Sequence, residues 1–319
     1  MSDSLIHPML RVNRPLISTR SIERLANAII VAVEQGHHGI KTIGVGQSGK
    51  SSGYLQLAAT EKWRASHPMT IQFVRMSKTE KSSEGTFFST WQYCMGLRVW
   101  ERARGNSFMH RIANHLTELS DTEKTEIVAI ALDEGQRMTN ADYEHLVTLD
   151  NEMQARNKRL FILQVHQADV RQEKEARNEE GPSSHVVGRF MLSTHNFTGI
   201  DGVEEIQFAL KQYDNIEVWP AGSGITFSNH FAPAAFARGW RLQDHAQQFL
   251  DAVLNLRGQN NLPLTGWTWR MKTFEAFVAY LLTSVAGKNV NFEGFSRENV
   301  AEALLQSSYA VLENLGKRP

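Results

Sequence analysis

Residues Gly44-Val45-Gly46-Gln47-Ser48-Gly49-Lys50-Ser51 fit the pattern GxxxxGK[ST] at every fixed position. The glycines let main-chain N–H groups turn inward around phosphate oxygens, and the helix that follows points its positive end at the same anion. Lys50 can reach the terminal phosphates, and the Ser51 hydroxyl can ligate Mg²⁺. Gly44, Gly46, Gln47, Ser48, Gly49, Lys50, Ser51 and Ser52 are therefore the expected nucleotide-binding residues, with ATP and Mg²⁺ as the expected cofactors.

A second motif, EIVAIALDEGQ at 126–136, is a β-branched apolar run that stops at two adjacent carboxylates. Such a run suits a strand buried on both faces of a parallel sheet. Ligands in open α/β folds bind at the carboxyl ends of the strands, so Asp133 is placed beside the phosphate loop as a Mg²⁺ ligand, directly or through water. Glu134 points differently and is positioned to orient or deprotonate a water for attack on the γ-phosphate. An acid in that position favours hydrolysis over transfer to a second substrate.

The elements that must carry these motifs alternate. A helix capped by Ser18 or Thr19 precedes a strand at 40–45, the glycine loop and a helix at 50–65. Strands at 70–76, 126–132 and 160–165 follow, separated by helices at 87–104, 108–119 and 140–157. Alternation over about 200 residues predicts a three-layer α/β domain with a mostly parallel sheet. Helices then dominate, at 201–213, 242–256, 268–286 and 296–315, with an aromatic-rich insertion at about 215–240. The expected organisation is an α/β ATP-binding core at 1–200 and a helical region at 201–319.

Composition narrows the class. The 319 residues are 41% hydrophobic and 21% charged, as in ordinary globular proteins. The 34 Lys and Arg balance the 34 Asp and Glu, so binding to nucleic acid must come from local patches. One cysteine, Cys94, excludes an internal disulfide and fits a reducing, cytoplasmic setting. No apolar run approaches the roughly 18 residues of a membrane span, and the first residues do not read as a secretion signal. The twelve histidines show no metal-ligand spacing.

The sequence resembles the AAA+ ATPases, and among them the transposition regulators of the TnsC, TniB and MuB kind, TnsC most of all. The likeness lies in GVGQSGKSS, IALDEGQ, RLFILQVHQADV, VVGRF and FTGIDGVEEIQFALKQYD, spread over about 15–290. It implies a C-terminal helical lid, a homo-oligomeric ring or filament on duplex DNA, and a role linking a target-selection protein to a transposase. It also implies a polar sensor ending the fourth strand, here His166 or, second, Gln164. An arginine offered to the neighbouring subunit's ATP would be Arg189 in VVGRF, with Arg171 and Arg177 as rivals. Arg270 matches the lid arginine that reaches back to the phosphates.

Two basic windows, Arg75, Lys78 and Lys81 after the second strand and Arg98 and Arg102 along the next helical stretch, could neutralise DNA phosphates without reading sequence. Two other functions fit the phosphate loop: a small-molecule kinase, which needs an acceptor pocket, and a nucleotide-gated scaffold that turns over negligibly.

Overall fold

A computed structural model describes residues 6–11, 14–76, 83–98, 105–168 and 182–315. The chain divides into two compact units, one of Ile22–Gly46 with Lys50–Phe197 and one of Met1–Ser21, Gln47–Gly49 and Thr198–Pro319.

The first unit is built on a five-stranded sheet in the order β2-β3-β4-β1-β5. Its strands are β1 (Gly39–Gly44), β2 (Met69–Arg75), β3 (Ile127–Asp133), β4 (Arg159–Gln167) and β5 (Ser193–Asn196), and all their pairings are parallel. Its helices are α1 (Arg20–Glu34), α2 (Lys50–Ala59), α3 (Glu84–Cys94), α4 (Gly105–Thr122), α5 (Asn140–Ala155) and α6 (Ser184–Phe190). Parallel strands need crossovers, and these helices supply them.

The alternation of side chains explains why β3 and β4 read as unbroken apolar runs. Val128, Ile130, Leu132, Leu160 and Ile162 enter a core with Phe88, Trp91, Ile112 and Leu146. Ala129, Ala131, Phe161, Leu163 and Val165 enter a second core with Leu25 and Ile29 of α1 and Tyr54 and Leu57 of α2. Each strand is thus buried on both faces. Asp133 follows Ala129 and Ala131 at a spacing of two, so it emerges on the α1/α2 face.

The helical stretch expected at 87–104 is shorter than the sequence pattern suggests. α3 ends at Cys94, and Gly96 takes a φ of +70°, a left-handed turn that glycine adopts without steric cost. Trp91 is fully buried while Cys94 is exposed, so the three-residue spacing carries one of the two into the core. The fifth strand, Ser193–Asn196, escapes sequence reading because it is short and polar; it pairs with β1 at the sheet edge.

The second unit is helical: α7 (Gly202–Asn215), α8 (Phe227–Phe231), α9 (Pro233–Ala237), α10 (Ala246–Gln259), α11 (Met271–Tyr280) running into a π-helical turn at Leu281–Ala286, α12 (Arg297–Gln306) and α13 (Tyr309–Leu315). The expected single helix at 296–315 breaks at Ser308, whose φ is +58°. Phe227, Phe249, Trp269, Phe274 and Phe277 fill the core, with Trp219, Phe231 and Trp240 of the insertion packed on it. The insertion aromatics are thereby accounted for by folding.

His7 is 3% exposed and lies in an aromatic cage, with ring centroids 4.6 Å from Phe227, His230 and Phe231 and 5.0 Å from Trp219. Its Nδ1 accepts the Met9 N–H at 3.1 Å, so the neutral ring carries its proton on Nε2, facing the rings. Burial, then His230 and then Arg11 depress its pKa to about 4. Between that value and 6.5 the unfolded chain binds a proton that the folded chain refuses, so acidification removes up to about 3 kcal/mol of stability. Glu275, raised to about 7 by burial despite Arg14, acts with opposite sign, losing stability as pH rises from 4.5 through 7. The comparison of His7→Leu with wild type isolates the first effect. In urea melts the stability difference between the two should change in the variant's favour from pH 7 to pH 4.5, and a pH-independent difference would contradict the cage.

Candidate nucleotide and metal site

Gly44 ends β1 in a position that admits no side chain: a Cβ there would lie 2.4 Å from the Phe197 carbonyl oxygen. The chain then turns through Gln47, with a φ of +64°, and Gly49, with a φ of +102°, before α2 begins at Lys50. Gln47 bears the cost of a left-handed backbone with a side chain, a strain that persists where the surroundings over-determine it. Ser48 is buried, and Ser52 lies half-buried in the first turn of α2. The first-turn N–H groups of a helix have no intrahelical partners, and these open toward the loop.

The Lys50 side chain folds back into that loop. It is 7% exposed, and Nζ donates to the carbonyl oxygens of Gly44 at 2.8 Å and Val45 at 2.7 Å. The ammonium is thus fixed at the mouth of the loop as a point charge with three donors.

Ser51 and Asp133 meet although 82 positions separate them. The Ser51 hydroxyl donates to Asp133 Oδ1 at 2.8 Å. β4 lies between β1 and β3 in the sheet, so α2 reaches over an intervening strand to make this contact. Asp133 Oδ1 also accepts the Glu134 N–H at 3.1 Å, and Oδ2 faces Arg75 Nε at 3.6 Å. Hard oxygen donors converge here, a set suited to Mg²⁺, which takes one or two protein oxygens and completes its shell with waters and phosphate. Ser51 and Asp133 would hold it, and the ion would neutralise phosphate charge when bound.

Glu134 departs from its neighbour as expected. It adopts a φ of +62°, and its carboxylate accepts from Gln136 Nε2 at 2.8 Å and pairs with Arg137 at 3.3 Å. Gln136 in turn accepts the Gln167 N–H at 3.3 Å, tying the end of β4 to the acid. Gln136, Arg137 and Gln167 belong to the site's hydrogen-bonded frame, and sequence reasoning gave none of them a role.

His166 lies near the end of β4, its side chain on the opposite face from those of Val165 and Gln167. It is 8% exposed, with Nε2 3.1 Å from Gln164 Oε1 and 3.0 Å from where a Cβ on Gly135 would sit. Gln164 is fully buried and bonded to Tyr143 and the Phe190 carbonyl, so neither residue is on the phosphate-loop face. The register pairs His166 with Ile43 and Gln167 with Gly44. Gln167 reaches the loop, its Nε2 being 2.9 Å from where a Cβ on Gly46 would lie. Gln167→Ala should therefore slow ATP turnover by about tenfold or more, whereas His166→Ala should act mainly on stability. Phosphate-release rates set beside melting temperatures check the pair, and the reverse pattern would restore His166.

The remaining candidates have the following partners within the chain. Arg189 donates from Nη1 to Asp150 Oδ2 at 3.0 Å and to Asn151 Oδ1 at 2.8 Å, and Asp150 is fully buried. That pair neutralises a buried carboxylate inside its own chain, one that His38 and Gln154 also contact. Arg270, in the helical unit, has Nε 3.2 Å from Glu313 Oε1. Arg75 stands at the Asp133 carboxylate, and Arg98 is exposed with its carbonyl accepting from Arg111 at 3.4 Å. Lys78, Lys81, Arg102, Arg171 and Arg177 lie outside the described residues.

A cavity of about 270 Å³ opens beside the metal-ligand pair, lined by Tyr54, Leu55, Phe73, Arg75, Cys94 and Val165 along with Ser51 and Asp133. Among the described residues no group of three or more His, Cys, Asp and Glu side chains could hold a metal ion, and no helix is long and apolar enough to cross a membrane.

A glycine-rich loop running off β1, an acid ending β3 and a strand inserted between them have the arrangement of the AAA+ P-loop ATPase fold, here with a helical C-terminal region. No family model matches the chain, and no curated protein matches it. Among solved structures it is similar to the ORC2 protein of Aeropyrum pernix in its ADP form, at 13% identity, with 96% of this chain and 72% of that chain covered and a TM-score of 0.52. Looser superpositions relate it to Cdc6p of Pyrobaculum aerophilum (14% identity, 97% and 84% covered, TM-score 0.40) and to Thermotoga maritima RuvB (13%, 92% and 69%, 0.41). At these identities the likeness to ORC2 shows the fold, and the two looser superpositions add nothing to it.

Proposed function

We propose that this protein is a Mg²⁺-dependent ATPase that assembles with copies of itself on duplex DNA, without strong sequence preference, and uses ATP hydrolysis to reset the assembly. The observation that carries the ATPase reading is the 2.8 Å bond from Ser51 to Asp133, which joins the phosphate loop to the strand-end acid at one point. Lys50 would bind the terminal phosphates, Ser51 and Asp133 the metal, Glu134 the attacking water, and Gln167 would hold that water or the γ-phosphate oxygen from the end of β4. The ADP-bound state of the ORC2 neighbour supports nucleotide as the ligand of this fold. The role between target selection and transposase rests on the resemblance to TnsC-like regulators in the motifs quoted above, and the cytoplasmic setting on the single cysteine.

Steady-state phosphate release with and without duplex DNA, together with particle size, tests this function. DNA and ATP together should raise turnover several-fold and enlarge the particle, and binding should weaken steeply with salt. ATP binding with negligible release would instead indicate a nucleotide-gated scaffold.

A second reading has one specific observation in its favour. The cavity beside Ser51 and Asp133 has the place that an acceptor of a small-molecule kinase would need. Transfer of the labelled γ-phosphate to a small acceptor rather than to water would establish that reading and displace the first.

A further inference from the structure

In the helical unit, one carboxylate serves two guanidinium groups, and the two are held very differently. Arg257 is 2% exposed and donates to the Pro263 carbonyl at 2.7 Å, to the Tyr309 hydroxyl at 2.6 Å and to Glu313 Oε2 at 2.8 Å. Its guanidinium also lies 4.5 Å from the Trp267 ring centroid. Arg270 has a single charge contact, Nε to Glu313 Oε1 at 3.2 Å, and Oε1 receives no aligned hydrogen bond. Arg257 is therefore a fixture, and Arg270 a group resting on the carboxylate's second oxygen.

The main chain around Arg270 is held by several hydrogen bonds, its side chain by one ion pair. Trp269 exchanges main-chain hydrogen bonds with Ile200 at 2.8 and 2.9 Å, and the Arg270 carbonyl accepts from Thr273 and Phe274. Residues 47–49 of the phosphate loop belong to the same compact unit. Within it, the Lys272 N–H donates to the Gln47 carbonyl at 3.3 Å, and Met271 Cβ lies 3.1 Å from where a Cβ on Gly49 would be. Arg270 thus immediately precedes two residues that touch the loop tip. With two guanidinium groups and one carboxylate the cluster carries an excess positive charge, which an anion on that loop would complement.

We propose that Glu313 is a latch on Arg270: it competes with the nucleotide's phosphates for that guanidinium, so its charge weakens nucleotide binding, and α13 gains or loses its second cation as nucleotide leaves or arrives. Glu313 acts here as a positioning residue through Arg270. The inference rests on the ATP reading above and adds to it a residue that tunes affinity.

The test is calorimetric titration of a non-hydrolysable ATP analogue into wild type, Glu313→Gln, Arg270→Ala and the double variant, with melting temperatures as the control for folding. Glu313→Gln should bind roughly five- to tenfold tighter, a gain of the size expected for releasing one partly buried ion pair, and Arg270→Ala should abolish the gain. Unchanged or weaker binding by a folded Glu313→Gln, or a gain that persists without Arg270, overturns the latch. Should Glu313→Gln fail to fold, NMR of the arginine Nε–Hε groups in wild type decides. The Arg270 resonance should shift on saturation with the analogue while that of Arg257 stays, and an unmoved Arg270 overturns the proposal. Absence of any binding by wild type sinks the ATP reading itself, a result distinct from every variant-specific failure.

Discussion

Glu134→Gln should reduce ATP hydrolysis by about 10²- to 10³-fold while leaving ATP affinity within about threefold of wild type. The substitution removes the proton acceptor and keeps the shape, including an oxygen able to accept from Gln136 as the carboxylate does at 2.8 Å. It gives up the ion pair with Arg137, a half-exposed contact worth less than about 1 kcal/mol. Asp133 and Ser51 are untouched, so nucleotide and metal should still bind, and ATP-dependent assemblies should outlast those of wild type. Phosphate release and size-exclusion profiles, measured on the same preparation, check both halves. Hydrolysis at the normal rate would remove Glu134 from the role of water activator and direct attention to the frame around it, Gln136 and Gln167.

Lys50→Ala should have the larger effect on binding. The ammonium is buried at the loop mouth between two carbonyl oxygens, and a triphosphate would gain charge-assisted hydrogen bonds from it worth about 1.5–3 kcal/mol each. Losing two such bonds corresponds to an affinity loss on the order of 10²- to 10⁴-fold. Lys50→Arg should not rescue it, because a planar guanidinium with its own donor geometry cannot replace a compact ammonium inside a loop this tight. Calorimetric titration with ATP is the direct measurement, and a variant that keeps its melting temperature and its affinity would show that the loop is not the nucleotide site.

The site shows where sequence reasoning ends. The phosphate loop and the LDEG strand end were legible because each is continuous in the chain and each position has a local physical requirement. Gly44 must be glycine to clear the Phe197 carbonyl, and Lys50 follows the last glycine at fixed reach. The polar end of β4 was of another kind: the sequence offered His166 or Gln164, and the structure sets Gln167 beside the loop and His166 away from it. His166 and Gln167 are both polar and both end β4, and they point to opposite faces because side chains alternate along a strand. Which of them shares a face with the phosphate loop depends on register, here Gln167 opposite Gly44, and register is a relation between strands more than a hundred positions apart. The observed alternation from Asp133 back to Ala129 could have fixed the face of β3, but no pattern within β4 states its alignment with β1.

The arginines tell the same story through charge. Arg189 and Arg270 stand in motifs resembling those that carry catalytic arginines elsewhere, yet their guanidinium groups rest on Asp150 and Glu313, 39 and 43 positions away. His7, to which no motif draws attention, is enclosed by Phe227, His230 and Phe231, more than two hundred positions away.

By itself the sequence determined the α/β class, the glycine-rich turn ahead of α2 and the pair of acids that ends β3, because short-range sterics and periodic burial leave few alternatives along a contiguous stretch. Only the tertiary structure decided that Ser51 meets Asp133, that Gln167 rather than His166 joins the loop, and which carboxylate each arginine serves. Those are choices among partners distant in the chain, settled by strand register and by the need of every buried charge for a counter-charge.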